Sequence, residues 1–256
     1  INGVHAVDTL DGKEYQIKSK VVVNATGVFV DDVMKMDECD TRRKVRPSQG
    51  VHLVVDSKFL GGRSALMIPK TKDGRVLFGV PWHGKVVLGT TDTPLNEASL
   101  EPRALEEEVD FILDQAGQYL DRKPTRADVL SIFAGLRPLA APTHADSKKT
   151  KEISRNHKIY RSKSGLLTIT GGKWTTYRAM AEDVINQAIV IGGLSPAECV
   201  TKNLRVHGYT KEQFDENDWN YVYGSDASKI QKMIEKEPSF AEKLYEGYTF
   251  TAAHVV

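Results

Sequence analysis

Two cationic side chains stand where apolar runs of the sequence end. Arg137 lies in "FAGLRPL", and Lys173 lies in "LLTITGGKWTTYRAM". A guanidinium beside a buried strand needs a partner, because an unpaired buried charge is costly. An internal carboxylate is the usual partner, but the planar fork of arginine also fits a phosphate or carboxylate of a substrate. The two cations together favour a site for an anionic small molecule.

A histidine, His52, lies one residue into the strand-like run of "RPSQGVHLVV", after a polar turn at residues 48–50. Histidine is the most frequent general base of enzymes. A histidine near the start of a strand is also often a structural residue with satisfied hydrogen bonds. Both interpretations of His52 stay open from these residues alone.

Two glycines, Gly171 and Gly172, separate an apolar strand from Lys173 and the start of a helix. Glycine allows a ligand to approach the backbone closely, and a helix N-terminus offers N–H groups and the positive end of the helix dipole. The segment is therefore typical of an edge that holds an anion or a cofactor. The alternative is a tight strand-to-helix turn with Thr175 or Thr176 as the helix cap.

Two further short stretches carry small or polar residues at strand ends. "NATG", residues 24–27, ends a buried run in small residues, which suits either a ligand or a tight turn out of a sheet. "GTTD", residues 89–92, offers hydroxyls and a carboxylate. These groups fit a ligand or a hydrogen-bonded turn equally well.

Composition excludes several classes of function. The 256 residues are 40% hydrophobic and 27% charged with a net charge of +1, which is typical of a globular protein and gives no basic surface for nucleic acid. The two cysteines, Cys39 and Cys199, are far apart and form no C-x-x-C motif. A disulfide framework and a metal site are therefore not expected. No apolar run reaches the ~18 residues of a membrane-spanning helix.

The elements that would position these residues follow from hydrophobic periodicity. Alternating residues predict a hairpin from residues 4–10 and 14–20, and residues 21–23 predict a strand buried on both faces. Residues 51–90 predict an antiparallel meander of short strands. A helix is predicted near residues 102–120, with Ser99 as its N-cap.

Further strands are predicted at "DVLSIFAGLRPLA" and "SGLLTITGG", and a helix at residues 174–191. After about residue 196 the composition shifts to short polar segments. We interpret this region as a small helical unit.

Five stretches, "NATGVFVDD", "RPSQGVHLVV", "VPWHGKVVLGTTDT", "FAGLRPL" and "GGKWTTYR", follow one another along the chain. In this order and at these intervals they resemble the FAD-dependent glycerol-3-phosphate dehydrogenases, flavin enzymes of the wider D-amino-acid-oxidase-like group. The resemblance is close over residues 1–190. The C-terminal part is similar to the family's helical cap domain, less distinctively. Each stretch alone is a weak signal, whereas the ordered set is specific.

The resemblance implies FAD as the cofactor, held where small-residue turns approach the flavin. The positions that match the family's cofactor-binding turns are Ala25, Thr26, Gly27, Gly171, Gly172, Lys173 and Thr175. Three positions match the family's substrate and catalytic site. By this resemblance Arg137 binds the substrate phosphate, Lys173 adds charge near flavin and substrate, and His52 is the candidate base.

The implied reaction is the oxidation of sn-glycerol 3-phosphate to dihydroxyacetone phosphate. A base removes the proton of the C2 hydroxyl while hydride passes from C2 to the flavin, and a quinone, or oxygen in an oxidase branch, reoxidises the flavin. The expected location is cytoplasmic, with peripheral association at the inner face of the plasma membrane in the quinone-linked case.

Other interpretations stay open. An oxidase of the same group would use its arginine for the carboxylate of an amine or amino acid substrate, and a non-catalytic binding module needs neither. The sequence contains no G-x-G-x-x-G turn, which anchors the ADP half of FAD in the family. We therefore expect a fragment of a longer FAD enzyme, which by itself is inactive and holds little FAD.

The predicted fold class is mixed α/β (α+β). Residues 1–50 and 161–195 would form the remainder of an FAD-binding domain, residues 51–160 an antiparallel substrate-binding sheet, and residues 196–256 a partial helical cap.

Overall fold

The computed structural model describes residues 1–38, 42–141, 156–213, 219–246 and 249–256. The chain divides into two compact units, Ile1–Glu198 and Cys199–Val256. Cys39 lies outside the described residues, and Cys199 is exposed. None of the helices in the described ranges is long and apolar enough to cross a membrane.

The first element is a two-stranded antiparallel hairpin, as predicted. Strand β1 (Gly3–Val7) pairs with β2 (Glu14–Lys18), with Gly3 opposite Lys18 and Val7 opposite Glu14. Gly12 lies in the connecting loop with φ +73°, a conformation that favours glycine.

A three-stranded sheet follows in space, although its strands are far apart in sequence. Its members are β3 (Val23–Asn24), β10 (Lys158–Arg161) and β11 (Leu167–Thr170), in the order β10-β11-β3. Strand β3 is parallel to β11, and β10 is antiparallel to it. The predicted buried strand at residues 21–23 is thus shorter and lies slightly later.

Each of the two parallel strands runs into a helix through a short 3-10 turn. Residues Gly27–Phe29 lead from β3 into α1 (Val30–Asp37), and Trp174–Thr176 lead from β11 into α3 (Tyr177–Gly192). Helix α3 packs against the sheet because its apolar positions recur at helical spacing. The buried residues of this cluster are Leu167, Ile169, Val184 and Ala188.

The third sheet is antiparallel and has six strands. Its strands are β4 (Val45–Asp56), β5 (Leu66–Ile68), β6 (Leu77–Trp82), β7 (Lys85–Gly89), β8 (Thr93–Pro94) and β9 (Val129–Ala140). They are ordered β5-β6-β7-β4-β8, and β9 pairs with β4 from Val45 to Val55. Strand β4 is therefore hydrogen-bonded to β9 along one side and to β7 along part of the other. The short strands expected within residues 51–90 are present, but the first of them pairs with the last and not with the second, so the predicted consecutive meander is wrong at that pairing.

One face of this sheet is covered by helix α2 (Glu106–Ala116). Alternate residues of β4, including Val51, Leu53 and Val55, point into this core and are almost fully buried. Ile112 of α2 packs against the same cluster. The alternation therefore leaves the intervening residues of β4, His52 among them, on the opposite face.

The predicted N-cap Ser99 is wrong. Helix α2 begins at Glu106, and the Ser99 hydroxyl instead accepts a hydrogen bond from the Glu101 N–H in the preceding loop. The carboxylate of Glu108 accepts from the Leu105 N–H at 3.0 Å and satisfies the start of the helix. A glutamate in the first turn has replaced the expected serine as the local cap.

The predicted domain limits inside the first unit fall within strands. Strand β4 continues from Val45 to Asp56 across residue 50, and β10 joins the three-stranded sheet although its first residues precede position 161. The functional assignment of these parts stays a prediction.

The second unit, Cys199–Val256, contains helix α4 (Ala227–Lys236) and short 3-10 segments at Trp219–Asp226, Pro238–Ala241 and Ala252–His254. Short helical segments were expected here. Part of the stretch "TKEQFDENDWNYVYGS" lies outside the described residues.

Candidate active site

Two of the predicted cofactor turns lie side by side. Strands β3 and β11 are parallel, with Asn24 opposite Thr168, so both chains leave the sheet at the same edge. Residues 25–27 follow one strand, and residues 171–173 follow the other. Ligands of open α/β sheets bind at the carboxyl ends of parallel strands. The structure thus brings the two groups of sequence-predicted cofactor residues, 25–27 and 171–173, to one edge of the sheet. We call this edge the cofactor edge.

Asn24 holds the first turn in place from inside the protein. Its Nδ2 donates to the Val30 carbonyl at 2.9 Å and to Thr168 Oγ1 at 3.3 Å. Its Oδ1 accepts from Thr26 Oγ1 at 2.7 Å. Because Asn24 is only 2% exposed, these bonds are shielded from water. The turn itself remains outside the core, with Ala25 exposed.

Gly27 is the residue of this turn that best fits a close ligand. Its φ is +64°, and a Cβ built on it would meet nothing within 4 Å. No neighbouring protein atom would therefore clash with a side chain at position 27, and the space in front of the backbone is open. This edge can accept a planar or anionic group against the main chain.

Gly171 and Gly172 have a different reason to be glycine. Both adopt positive φ, +78° and +74°. A Cβ on Gly171 would lie 2.8 Å from the Asn156 carbonyl oxygen, and one on Gly172 would lie 2.9 Å from Met180 Cε. The packing of the chain on itself explains these glycines, as the tight-turn interpretation requires, and close approach of a cofactor is not needed to account for them.

One buried hydroxyl beside this turn has unused hydrogen-bonding capacity among the described residues. Thr170 Oγ1 is buried and has no hydrogen-bond partner among the described residues. Thr170 is the last residue of β11, directly before Gly171. Buried polar atoms are normally satisfied. Together with the open space at Gly27, this atom indicates that the residues of the edge fit a cofactor with polar groups.

Lys173, Thr175 and Thr176 follow the glycines. Lys173 and Thr175 are exposed. Thr176 occupies the position before α3, but its hydroxyl accepts from the Lys173 N–H at 3.2 Å and donates to the Lys173 carbonyl at 3.0 Å. Neither threonine therefore caps α3 with its side chain, so the cap expected in the tight-turn interpretation is wrong although the turn itself is present. Lys173 is exposed at the same edge of the sheet as residues 25–27, and its role there stays a prediction.

Arg137 lies in β9 opposite Ser48 of β4, and its guanidinium is held by the loop between β7 and β8. Nη1 donates to the Thr91 carbonyl at 3.1 Å, and Nη2 donates to Thr90 Oγ1 at 3.0 Å. The Asp92 carboxylate lies 3.7 Å from Nη1. The side chain of Arg137 is still 36% exposed. Arg137 thus has the internal carboxylate that the structural interpretation expects, and it also reaches solvent.

A glycine makes room for this arginine. A Cβ on Gly50 would lie 2.6 Å from Arg137 Cζ, so the guanidinium crosses β4 directly over Gly50. Ser48, also in β4, donates its hydroxyl to Asp92 and completes the arrangement. Glycine inside a strand commonly marks such a close approach.

His52 lies on the same face of the sheet as Arg137. Its ring stacks on Phe133 with centroids 4.9 Å apart and an angle of 12° between the planes. A Cβ on Gly89 would lie 3.0 Å from His52 Cγ, so the imidazole covers that glycine. Burial lowers the pKa of His52, and the positive charge of Arg137 lowers it further. His52 is therefore neutral near pH 7 and able to accept a proton.

The face that carries His52 and Arg137 is rich in exposed apolar side chains. Residues directly paired across strands point the same way, and Met67, Phe78, Gly89, His52 and Phe133 form one such row across the sheet. We call this surface the open face. Its exposed large apolar residues are Met67, Phe78, Val80, Trp82 and Phe133.

The cofactor edge and the six-stranded sheet belong to one packed unit. The Asp31 carboxylate of α1 accepts from the N–H groups of Lys44 and Val45, at 2.8 and 3.1 Å, and fixes the start of β4. At the end of β9, Ala140 Cβ lies 3.7 Å from the position of a Cβ on Gly171. The structure therefore attaches β4 and β9, which carry His52 and Arg137, to the edge that carries the glycine turns.

Several residues of this arrangement were not singled out from the sequence. Phe133 supports His52, and Glu108 accepts hydrogen bonds from Thr91 and Thr93 in the loop that holds Arg137. Gly50 was the sequence signal that could have pointed to this arrangement, because a glycine inside an apolar strand suggests that another group approaches the backbone closely. The described residues contain no cluster of three His, Cys, Asp or Glu side chains that could hold a metal.

The chain is similar to known proteins along most of its length. It is 42% identical over 254 residues to the mitochondrial glycerol-3-phosphate dehydrogenase of Arabidopsis thaliana, which covers 99% of this chain and 38% of that protein. It is 43% identical over 210 residues to the human mitochondrial glycerol-3-phosphate dehydrogenase, covering 81% of this chain and 28% of that protein. The chain thus spans about a third of the length of these relatives.

A solved structure is similar throughout the chain. The glycerol-3-phosphate dehydrogenase from Bacillus halodurans, complexed with FAD, superimposes with a TM-score of 0.79 at 31% sequence identity. The match covers 99% of this chain and 52% of that one. This agreement confirms the mixed α/β fold. Residues 1–178 also match the family model described as FAD dependent oxidoreductase, and the chain therefore belongs to the FAD-dependent oxidoreductase family.

Proposed function

We propose that this chain is part of a flavin-dependent enzyme that oxidises sn-glycerol 3-phosphate to dihydroxyacetone phosphate. One observation carries the proposal. A neutral histidine, His52, and an arginine that reaches solvent, Arg137, lie on the same open face of the sheet. Support also comes from the relatives named glycerol-3-phosphate dehydrogenase that align along the chain.

FAD, when bound, supplies the hydride acceptor of the reaction. The residues that would hold it are those of the cofactor edge. Gly27 leaves open space in front of its backbone, and Thr170 presents a buried hydroxyl without a partner among the described residues. We assign the remaining contacts to Ala25, Thr26, Gly171, Gly172, Lys173 and Thr175.

Arg137 binds the substrate phosphate in this proposal. Its guanidinium is oriented by Thr90, Thr91 and Asp92 and keeps about a third of its side-chain surface exposed. The fork of arginine suits two oxygens of a phosphate. Lys173, exposed at the cofactor edge, contributes a second positive charge. Asp92 neutralises part of the charge of Arg137, so the second cation favours a dianionic substrate.

His52 acts as the general base. A ring nitrogen of His52 accepts the proton of the C2 hydroxyl as the carbonyl forms. The lowered pKa keeps this nitrogen unprotonated, and stacking on Phe133 limits the orientations of the ring.

The electron acceptor in this proposal is a quinone, with oxygen as the alternative of an oxidase branch. The location proposed with a quinone acceptor is cytoplasmic, with peripheral contact at the inner face of the plasma membrane. Stopped-flow reoxidation of reduced enzyme by a soluble quinone and by oxygen distinguishes the two acceptors.

The substitution Arg137→Lys, made in the longer flavin-loaded enzyme of which this chain is proposed to be part, tests the proposed substrate. Lysine keeps the charge but loses the two-pronged hydrogen bond. Hydrogen bonds to charged groups contribute about 1.5–3 kcal/mol each, so kcat/KM for glycerol 3-phosphate should fall roughly ten- to several hundred-fold. The value for unphosphorylated glycerol should change little.

Equal losses for both substrates, with a lower melting temperature, would assign Arg137 to a structural ion pair. Lys173 would then be the better phosphate residue. Turnover of amines or amino acids by the wild-type enzyme in place of glycerol 3-phosphate would favour the other oxidases of the group. Absence of turnover with either class would leave a non-catalytic module.

A further inference from the structure

We propose that Glu108, on the opposite side of the sheet from the open face, is a positioning residue that fixes Arg137 through Thr91. The inference rests on the proposed function, because it assigns Arg137 to the substrate phosphate. Glu108 itself contacts neither Arg137 nor the open face in the described contacts, so its action is indirect.

Glu108 is a carboxylate enclosed by donors. It is 3% exposed. Oε1 accepts from Thr91 Oγ1 at 2.9 Å and from Thr93 Oγ1 at 2.5 Å, and Oε2 accepts from Gln49 Nε2 at 2.7 Å and from the Leu105 N–H at 3.0 Å. Burial alone raises the pKa of Glu108, but these hydrogen bonds outweigh it and hold the pKa below the usual range. The buried group is therefore a charged and fully bonded anchor.

A helix cap does not need this many partners. The hydrogen bond from the Leu105 N–H satisfies the start of α2, and a carboxylate exposed to water would serve equally well. The two threonine hydroxyls, in contrast, come from Thr91 in the loop between β7 and β8 and from Thr93 at the start of β8. Glu108 therefore fastens this loop to the helix.

The loop alternates between its two sides. Thr91 and Thr93 direct their hydroxyls to Glu108, whereas Thr90 and Asp92 direct their side chains to Arg137. Thr91 takes part in both sides. Its hydroxyl donates to Glu108, and its backbone carbonyl accepts from Arg137 Nη1 at 3.1 Å.

Thr91 is fixed from a third direction as well. Its hydroxyl accepts from the Val51 N–H of β4 at 3.0 Å. A hydroxyl that both donates and accepts in a buried site has one orientation and one position. Loss of this hydroxyl frees the Thr91 carbonyl to shift, and the guanidinium of Arg137 shifts with it.

The test is Thr91→Val in the flavin-loaded enzyme, because valine keeps the shape of threonine and removes only the hydroxyl. KM for glycerol 3-phosphate should rise about tenfold, the value of one displaced hydrogen bond to a charged group. The kcat should change less than KM, and the preference in kcat/KM for glycerol 3-phosphate over unphosphorylated glycerol should fall. Thr91→Ser restores the hydroxyl and should restore KM.

The matched control is Thr71→Val. Thr71 is a buried threonine whose hydroxyl donates to the Asp73 carboxylate at 2.5 Å and accepts from the Arg75 N–H at 3.1 Å, which reproduces the pattern of Thr91. Its hydrogen-bond partners do not include the loop at residues 90–93. It should lower the melting temperature by less than Thr91→Val, because the Asp73 side chain is 31% exposed and water can replace the lost donor, and it should leave KM unchanged. Equal effects of both valine variants on KM would overturn the proposal.

A double variant separates this inference from the proposed function. If Thr91 acts through Arg137, adding Thr91→Val to Arg137→Lys should raise KM no further, because the coupled effects are not additive. Additive losses would overturn the positioning role while the phosphate role of Arg137 stands. If Arg137→Lys alone leaves KM for glycerol 3-phosphate unchanged, the proposed function of Arg137 fails, and the inference fails with it.

Discussion

The substitution Gly50→Ala should move the guanidinium of Arg137. A Cβ at residue 50 would lie 2.6 Å from Arg137 Cζ, where ordinary contacts are 3.4–4 Å. The guanidinium must therefore shift by roughly 1 Å, because a strand backbone is stiffer than the end of a side chain. Its bonds to Thr91 and Thr90, now 3.1 and 3.0 Å long, would then exceed hydrogen-bonding distance.

Two effects of different size follow. A displacement of about 1 Å in a binding group costs roughly 10²-fold in catalytic efficiency, so kcat/KM for glycerol 3-phosphate should fall about a hundredfold. Stability should fall less, by about 1–2 kcal/mol, because Arg137 is partly exposed and water replaces its lost partners. For a domain of this size that lowers Tm by roughly 2–8 °C.

Steady-state kinetics of the longer flavin-loaded enzyme with glycerol 3-phosphate and glycerol, together with a thermal melt, measure both effects. The control is Gly135→Ala. Gly135 lies directly opposite Gly50 in β9, and a Cβ there would meet nothing within 4 Å. Its Tm should be unchanged or slightly higher. Wild-type kinetics and Tm for Gly50→Ala, or an equal loss of Tm for Gly135→Ala, would refute the placement of Arg137 over Gly50.

Four further outcomes are expected. In the longer flavin-loaded enzyme, His52→Ala should lower kcat by ~10² to 10⁴ with a smaller change in KM. An unchanged kcat would return His52 to a structural role. An NMR titration of His52 should give a pKa below about 6.5, because burial and Arg137 disfavour its charged form. The unfolded chain then binds more protons at His52 than the folded chain does. The contribution of His52 to stability is therefore present above about pH 6.5 and is lost as pH falls through the folded pKa. Gly172→Ala should cost about 1–2 kcal/mol more than Gly12→Ala in a denaturant titration, because both have positive φ but only Gly172 would also displace Met180; equal losses would remove the packing argument. The 256-residue chain, purified after incubation with FAD, should show little visible flavin absorbance, since its sequence has no Gly-rich pyrophosphate turn; a stoichiometric yellow preparation would contradict this.

Local pattern was sufficient for the strands of the meander. Alternation in β4 and the turn residues between β5, β6 and β7 specify which residues face the core, and the structure confirms these strands. The start of α2 was not accessible in the same way. Ser99 and Glu108 both carry cap signals, and the choice of Glu108 depends on its tertiary contacts with Thr91, Thr93 and Gln49.

The parts of the site were predictable as residues but not as an arrangement. His52 and Arg137 were candidates from their types and places, yet their shared face depends on the pairing of β4 with β9, about 80 residues further along the chain. Sequence spacing does not specify such pairing. The same limit applied to Asp92, whose position beside Arg137 follows from the path of the β7–β8 loop.

The alternation of the loop at residues 90–93 also restricts how this protein can change in evolution. Thr90 and Asp92 face one side, and Thr91 and Thr93 face the other. A substitution alters one of these four contacts, whereas insertion or deletion of a single residue would exchange the two sides, so that every contact of the loop would be lost at once. Sequence change in this segment should therefore proceed by substitution at constant length. A deletion scan of the gene should find it among the least tolerant stretches, although it is a connection between strands.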